Sequence, residues 1–150
     1  MRRGAIRFVP ALVAVLVAGA VIVVAYADAG NGSTNDVLGP GEVTVTLVIH
    51  HSHFEPDRIR VAPGTTVRFV LDNRDPINHE LIVGDAEVHR RHEQGTEPVH
   101  PPRPGEVSVP ALTTAETTFV FADPGSVLYA CHLPGHFRYG MSGNVDVAAT

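Results

Sequence analysis

Apolar and polar residues alternate along several short segments of the chain, which is the pattern of β-strands with one buried face. The clearest alternation runs over residues 42–49, EVTVTLVI, and over residues 65–73, TTVRFVLDN. Shorter apolar runs predict five more strands, at residues 58–62, 80–83, 116–122, 126–130 and 143–147. Glycine, proline and aspartate separate these segments, so the pattern predicts an all-β fold built as an antiparallel sandwich or barrel.

One segment departs from this pattern. Residues 85–95, DAEVHRRHEQG, have a helical look and lie between predicted strands, so we expect a short helical insertion there. The following residues 97–107 contain four prolines, which exclude a helix or a central strand.

The first 27 residues have a different composition from the rest. Three arginines within the first seven residues precede an almost wholly apolar run over residues 8–27. Basic residues followed by such a run are typical of an export signal, and the closing Ala-Tyr-Ala suits cleavage by signal peptidase. About twenty apolar residues are also enough to span a bilayer. Residues 1–27 are therefore predicted to be either a signal peptide or a membrane anchor.

This N-terminal segment predicts the cellular location of the rest of the chain. The positive-inside rule keeps the arginines in the cytoplasm, so the remainder is exported to the outer face of the cytoplasmic membrane, the periplasm or the extracellular space. Residues 28–41 are rich in Gly, Asn, Asp and Ser and predict a flexible linker. The folded domain is then residues 42–150.

The exported part is acidic. Beyond residue 27 there are eight arginines, no lysine and sixteen acidic residues, a net charge of −8 with neutral histidines. Such a surface argues against nucleic acid as a partner, because neutralising phosphates requires clustered Lys and Arg.

The only cysteine lies among potential metal ligands, in YACHLPGHFRYGM at residues 129–141. A single cysteine is most often a buried small apolar residue, but in an exported protein a free thiol is a liability unless it is buried or bound. Cys131, His136 and Met141 have the spacing C-x4-H-x4-M between two apolar strands. The glycines and the proline of this loop force it to turn, so the three side chains can converge on one point.

The donor set indicates which metal would bind. Thiolate, imidazole and thioether together suit copper cycling between Cu(I) and Cu(II), whereas structural zinc sites add cysteines or histidines and do not recruit methionine. A trigonal centre of two histidines and one cysteine with a weak axial methionine needs one more imidazole. His79 is the natural candidate, because it begins a strand about fifty residues before Cys131, where a sandwich can bring it beside the loop.

With these residues the chain resembles the cupredoxins, the mononuclear blue copper proteins that include plastocyanin, azurin and auracyanin. The resemblance rests on HHSHFEPDRIRVAPGTTVRFVLDNRDPINHEL and on YACHLPGHFRYGMSGNVDV, and it covers roughly residues 43–147. It implies an antiparallel Greek-key β-sandwich and one type 1 copper per chain, bound by His79, Cys131, His136 and Met141.

The residue after the first ligand histidine departs from the resemblance. In plastocyanin and azurin this position is usually Asn, which supports the thiolate, and here it is Glu80. Asn78, on the other side of His79, is a candidate substitute. Because groups around the ligands tune the metal, a reduction potential cannot be carried over from the family.

His132 follows Cys131 and is expected to be a surface imidazole pointing away from the metal, with a role in electron exit as the alternative. His50, His51 and His53 are expected at an exposed strand end, where His51 and His53 would share a face. A weak additional metal site is the alternative for these three.

His89 and His92 lie one helical turn apart, a spacing that can chelate a metal. Together with His100 they are candidates for a second copper or zinc site. The alternative is that they are solvated residues of the helix and the loop.

The resemblance implies a one-electron carrier between redox partners. Leu133, Pro134, Phe137 and Tyr139 around His136 would form a partly apolar docking patch, and the acidic domain predicts a partner with a basic face, such as a membrane oxidase or a cytochrome. The alternative is a protein for copper binding, delivery or resistance outside the cytoplasm.

An enzyme is not expected. Copper nitrite reductases and multicopper oxidases need two or more such domains and commonly a histidine just before the ligand cysteine, where this chain has Ala130. The binuclear copper centre of oxidases requires two cysteines, and this chain has one.

Overall fold

The computed structural model describes residues 36–95 and 101–149. The predicted signal peptide or anchor, most of the predicted linker and His100 lie outside these residues. Among the described residues, none of the helices has the length and hydrophobicity of a membrane-spanning segment.

The described chain forms two β-sheets. The first has four strands in the order β2-β1-β4-β7: β1 Glu42–His50, β2 His53–Glu55, β4 Thr65–Asn73 and β7 Thr114–Phe121. The second has five strands in the order β3-β9-β8-β5-β6: β3 Arg58–Val61, β5 His79–Gly84, β6 Glu106–Val109, β8 Gly125–Ala130 and β9 Ser142–Val147. All seven predicted strands are present, with bounds that differ by at most two residues.

The expectation of antiparallel sheets is wrong, because both sheets are mixed. β1 pairs with β4 in parallel, and β3 pairs with β9 in parallel, while the other pairs are antiparallel. After β1 and β2 the chain crosses to the second sheet as β3 and then returns beside β1 as β4. Alternation reveals which face of a strand is buried, and it carries no information about the direction of the neighbouring strand.

Two short strands were not predicted. β2 lies in the histidine-rich segment and has three residues, and β6 follows the proline-rich segment and has four. β6 is the outermost strand of its sheet, which agrees with the exclusion of a central strand there.

An aromatic cluster joins the two sheets in the core. The Phe69 ring of the first sheet meets Phe121 edge-on with centroids 6.3 Å apart, and it lies 6.4 Å from Tyr129 of the second sheet. Tyr129 is fully buried, and its hydroxyl donates a hydrogen bond of 2.7 Å to the Pro56 carbonyl. This packing fixes the end of β8, from which the cysteine follows.

The predicted helical insertion is the helix α1, Ala86–Glu93. The Asp85 side chain caps it by accepting hydrogen bonds from the Glu87 and Val88 N–H groups. The helix packs closely on β5 because Gly84 has no side chain: a Cβ there would lie 2.9 Å from the Cβ of Val88. The helix is thereby held beside the loop that follows β8.

Candidate metal centre

The structure brings His79, Cys131 and His136 together at one end of the second sheet. One ligand atom of each lies within 4.8 Å of the other two, and within the described ranges this is the one such group of three or more His, Cys, Asp or Glu residues. The Nδ1 atom of His136 is 3.2 Å from the Cys131 sulfur and 3.2 Å from Nδ1 of His79. Two imidazole nitrogens and one sulfur thus face a common point.

The loop that carries Cys131 and His136 is closed by its own backbone. The Cys131 N–H donates to the Met141 carbonyl at 3.2 Å, and the Met141 N–H donates to the His136 carbonyl at 3.0 Å. Gly135 and Gly140 have φ of 90° and 95°, a left-handed conformation that glycine adopts without strain. The predicted convergence of this loop therefore has a backbone cause.

Met141 is the last residue of this closed loop, directly before β9. Its side chain is fully buried, and its backbone is hydrogen-bonded to the backbones of both Cys131 and His136. Its role as the fourth, axial ligand stays a prediction.

The thiol of Cys131 sits in a pocket suited to a metal thiolate. Burial raises its pKa to about 12, while the backbone N–H groups of Leu133 and Glu80 act in the opposite direction by hydrogen bonding to the sulfur. Without a cation the group is a neutral thiol at neutral pH. A metal ion would replace the proton, and the two N–H donors would then stabilise the thiolate.

The imidazoles of His79 and His136 are neutral, which is the protonation state in which histidine binds a metal. Burial lowers the pKa of His79 and of His136, so both rings are neutral at neutral pH. Nε2 of His79 lies 3.0 Å from the carboxylate of the buried Asp75. Burial acts to raise the pKa of Asp75, but hydrogen bonds from the Ser52 and His51 N–H groups and from His79 outweigh it and leave the pKa lowered. The donor set of one thiolate and two neutral imidazoles fits one type 1 copper.

Glu80 supports the loop after the cysteine. Its carboxylate Oε1 accepts a hydrogen bond of 2.8 Å from the His132 N–H. Asn78, the candidate substitute for the usual Asn, instead accepts from the Ala111 N–H at 3.0 Å and does not serve the cysteine loop. Sequence reasoning noted Glu80 only as a departure and missed this contact.

The expectation that His132 is a surface imidazole is wrong. Its ring is half-buried, its Nε2 lies 2.8 Å from Nδ1 of His89, and it packs against Phe137 with centroids 4.9 Å apart. Burial, together with the nearby His89 and His92, lowers the pKa of His132 to about 4.

The helix histidines are not simply solvated. His89 is buried, with Nε2 at 3.2 Å from the Leu128 carbonyl. Nδ1 of His92 lies 2.9 Å from the Val88 carbonyl, and its Nε2 lies 3.5 Å from the Glu106 carboxylate. The described residues contain no second group of three His, Cys, Asp or Glu that could hold a metal ion, and His100 lies outside them, so the second site stays a prediction.

The histidines near the end of β1 are exposed, as expected. They do not share a strand face, because β1 ends at His50 and the following His51 and Ser52 form a turn with φ of 52° and 57°. Nδ1 of His53 contacts the His51 carbonyl at 2.7 Å.

Comparison with known proteins agrees with this centre. Residues 41–148 match the family model of copper binding proteins of the plastocyanin/azurin family. The chain is 33% identical to the copper-resistant cuproprotein CopI of Rubrivivax gelatinosus, over 81% of this chain and 75% of that protein. It is 28% identical to the protein of the same name in Pseudomonas aeruginosa, over 69% of this chain and 75% of that one.

Solved structures share the fold. Auracyanin A from Chloroflexus aurantiacus has a TM-score of 0.59 at 23% identity, over 72% of this chain and 100% of its own. Reduced auracyanin from Roseiflexus castenholzii has a TM-score of 0.58 at 19% identity, over 71% of this chain and 97% of its own.

Proposed function

The chain belongs to the plastocyanin/azurin family of copper-binding proteins, and we propose that it acts outside the cytoplasm as a one-electron carrier. The observation that carries this proposal is the arrangement of the three converging donors. Cys131 and His79 are almost completely buried, while His136 is partly exposed. Such a centre holds its metal inside the protein and offers one ligand edge to a partner.

Copper bound by these residues would supply a Cu(I)/Cu(II) couple. The protein's part is to keep the ligands still when an electron arrives or leaves. His79 is fixed at the start of β5, and Cys131 and His136 are fixed by the closed loop. Side chains held by a rigid scaffold need little rearrangement, which favours fast transfer.

The surface around His136 suits short-lived contacts. Leu133 and Phe137 are half-buried, Pro134 is exposed, and Tyr139 is 84% exposed. The acidic charge of the chain supports a partner with a basic face, such as a cytochrome or a membrane oxidase. Small contacts of this kind allow rapid exchange of partners.

Electron exchange with a basic cytochrome tests this proposal. We expect a reversible one-electron couple, a bimolecular rate that falls as salt rises, and a slower rate for Tyr139→Ala. Val120→Ala is the matched control, because Val120 is an exposed apolar residue on β7 that pairs with Thr66, at the far end of β4. An irreversible couple, or an equal effect of the two variants, would contradict the proposed role.

A second candidate function is copper tolerance, which the names of the CopI relatives favour. The two functions are compatible, since a tolerance protein can work through the redox change of its copper. In a bacterial strain that lacks its own CopI, we expect the full chain to restore growth on copper and Cys131→Ser to fail. Equal growth with both chains would show that the copper centre has no part in tolerance.

Export and the absence of enzymatic activity are parts of the same proposal. The basic and apolar N-terminal sequence supports export, with attachment to the membrane through residues 8–27 as the alternative to cleavage. Fractionation of cells expressing the full chain distinguishes the two outcomes. Ala130 before the cysteine supports a carrier over a multicopper enzyme.

A further inference from the structure

The carboxylate of Asp75 contacts Nε2 of His79, the ring nitrogen that does not face His136. Asp75 lies in the loop between β4 and β5 and is 5% exposed. A carboxylate removed from water to this degree is costly unless hydrogen-bond donors surround it. Three donors do so here: Oδ1 accepts from the His51 N–H at 2.8 Å, and Oδ2 accepts from the Ser52 N–H at 2.7 Å and from His79 Nε2 at 3.0 Å.

Asp75 is itself held in place. Its N–H donates to Oδ1 of Asn73 at 3.0 Å, and its carbonyl accepts from the Leu112 N–H at 3.1 Å. The Asn73 amide donates in turn to the carbonyls of Ile77 and Pro110, each at 2.9 Å. The carboxylate is therefore a fixed point of the scaffold.

The carboxylate determines the proton position on the imidazole. An ionised carboxylate can only accept hydrogen bonds, so Nε2 of His79 must carry the proton. Nδ1 is then the unprotonated nitrogen, and it is the atom that faces His136 and the Cys131 sulfur. A carboxylate behind a ligand histidine also makes its imidazole a stronger donor.

We propose that Asp75 is a positioning residue of the copper centre, which holds His79 in its Nε2–H tautomer and favours Cu(II) over Cu(I). The inference rests on the copper centre described above. A buried negative charge behind a ligand stabilises the more highly charged ion more strongly. The same carboxylate links the centre to the turn at His51 and Ser52.

The test compares Asp75→Asn with Asp72→Asn. Asp72 lies three residues earlier on β4 and forms a surface ion pair of 2.8 Å with Arg74, so this control removes a nearby charge without touching a ligand. For Asp75→Asn we expect a tenfold to hundredfold loss of Cu(II) affinity, which is typical when such a partner of a ligand is changed. The Cu(I) affinity should change less. Each factor of ten by which the loss of Cu(II) affinity exceeds the loss of Cu(I) affinity raises the reduction potential by about 59 mV.

A second variant separates the effect of Asp75 on His79 from its effect on the turn at His51 and Ser52. Ser52→Gly suits the left-handed backbone at φ 57°, and it should compensate for a turn weakened by Asp75→Asn. In the double variant we expect thermal stability to recover while the raised potential remains. In the copper-free protein, where no metal fixes the tautomer, nitrogen NMR should show Nε2–H on His79 and a smaller share of this tautomer in Asp75→Asn.

The outcomes distinguish the inference from the proposed function. If the unaltered protein has no reversible copper couple, the proposed function fails. If the couple is present but Asp75→Asn shifts the potential no more than Asp72→Asn, or if Ser52→Gly restores the potential together with the stability, the positioning role of Asp75 is wrong.

Discussion

Glu80 joins β5 to the loop that carries the cysteine. Its backbone N–H is a hydrogen-bond donor to the Cys131 sulfur, and its carboxylate accepts from the His132 N–H. Glu80 is 2% exposed, so water cannot replace the carboxylate if it is removed. A single residue thus holds both the thiol and the peptide that follows it.

Removing this carboxylate should destabilise the fold. Glu80→Ala leaves the buried His132 N–H without its acceptor, and we expect a loss of about 1–3 kcal/mol in the free energy of unfolding. Glu80→Gln keeps an acceptor oxygen and should lose less. Urea unfolding of the copper-free protein measures both, with Glu116→Ala as the control, because Glu116 pairs with Arg68 on the surface. A loss for Glu80→Ala no larger than that of the control would refute this role.

At the scale of single residues, the sequence predicted the metal ligands better than it predicted the residues that hold those ligands in place. Cys131, His136 and Met141 lie close together in the chain, so their spacing was informative, and His79 could be found from the start of a strand. The contacts of Asp75 with His51 and of Glu80 with His132 join residues 24 and 52 positions apart. No local pattern in the sequence specifies such pairs.

The element that matters most for the site is the β8–β9 hairpin. Its strands pair from Gly125 and Val147 up to Ala130 and Ser142, which brings both ends of the ligand loop together. Gly143 is paired with Tyr129, and a Cβ at Gly143 would collide with the Tyr129 ring and the Asp57 carbonyl. The hairpin therefore requires glycine here for space.

Gly143→Ala should weaken both the fold and the site. Forcing a methyl group into a packed region costs about 1–3 kcal/mol, and displacement of Tyr129 would disturb the strand that leads to Cys131. We expect a lower midpoint in urea and faster loss of copper to a chelator. Ser126→Ala, an exposed change on the same hairpin, is the control. Equal stability of the two variants would argue against a steric requirement for glycine.

Strand positions were predictable because alternation and turn residues are local signals. The pairing of strands was not predictable from the sequence. β1 pairs with β4, and between them the chain contributes β3 to the other sheet. β2 and β6 were too short to give a recognisable period.

At the scale of the whole molecule, four imidazoles that are buried or half-buried have lowered pKa values, two of them in the metal centre. Burial lowers the pKa of His79, His89 and His136, and it lowers that of His132 to about 4. In the unfolded chain these groups titrate near 6.5. Each lowered pKa contributes stability above about pH 6.5, and this stability is lost as the pH falls toward the folded value.

The copper-free protein should therefore lose stability between about pH 6.5 and pH 4. We expect the copper-loaded protein to be more stable at each pH but to lose at least as much stability over this window, because its unfolding also protonates the Cys131 thiolate and metal binding weakens as protons compete for the ligands. Thermal unfolding of both forms across this range measures the effect. A midpoint for the copper-free form that is constant from pH 7 to pH 4 would show that the buried histidines take up no protons on unfolding.

The central claim is that Cys131 is a copper ligand, and the visible absorption spectrum of the copper-loaded protein tests it most directly. We expect an intense thiolate-to-copper charge-transfer band at one copper per chain, and we expect Cys131→Ser to abolish it. The serine hydroxyl is of similar size, so the variant should fold. Persistence of the band in Cys131→Ser would contradict the assignment of this centre.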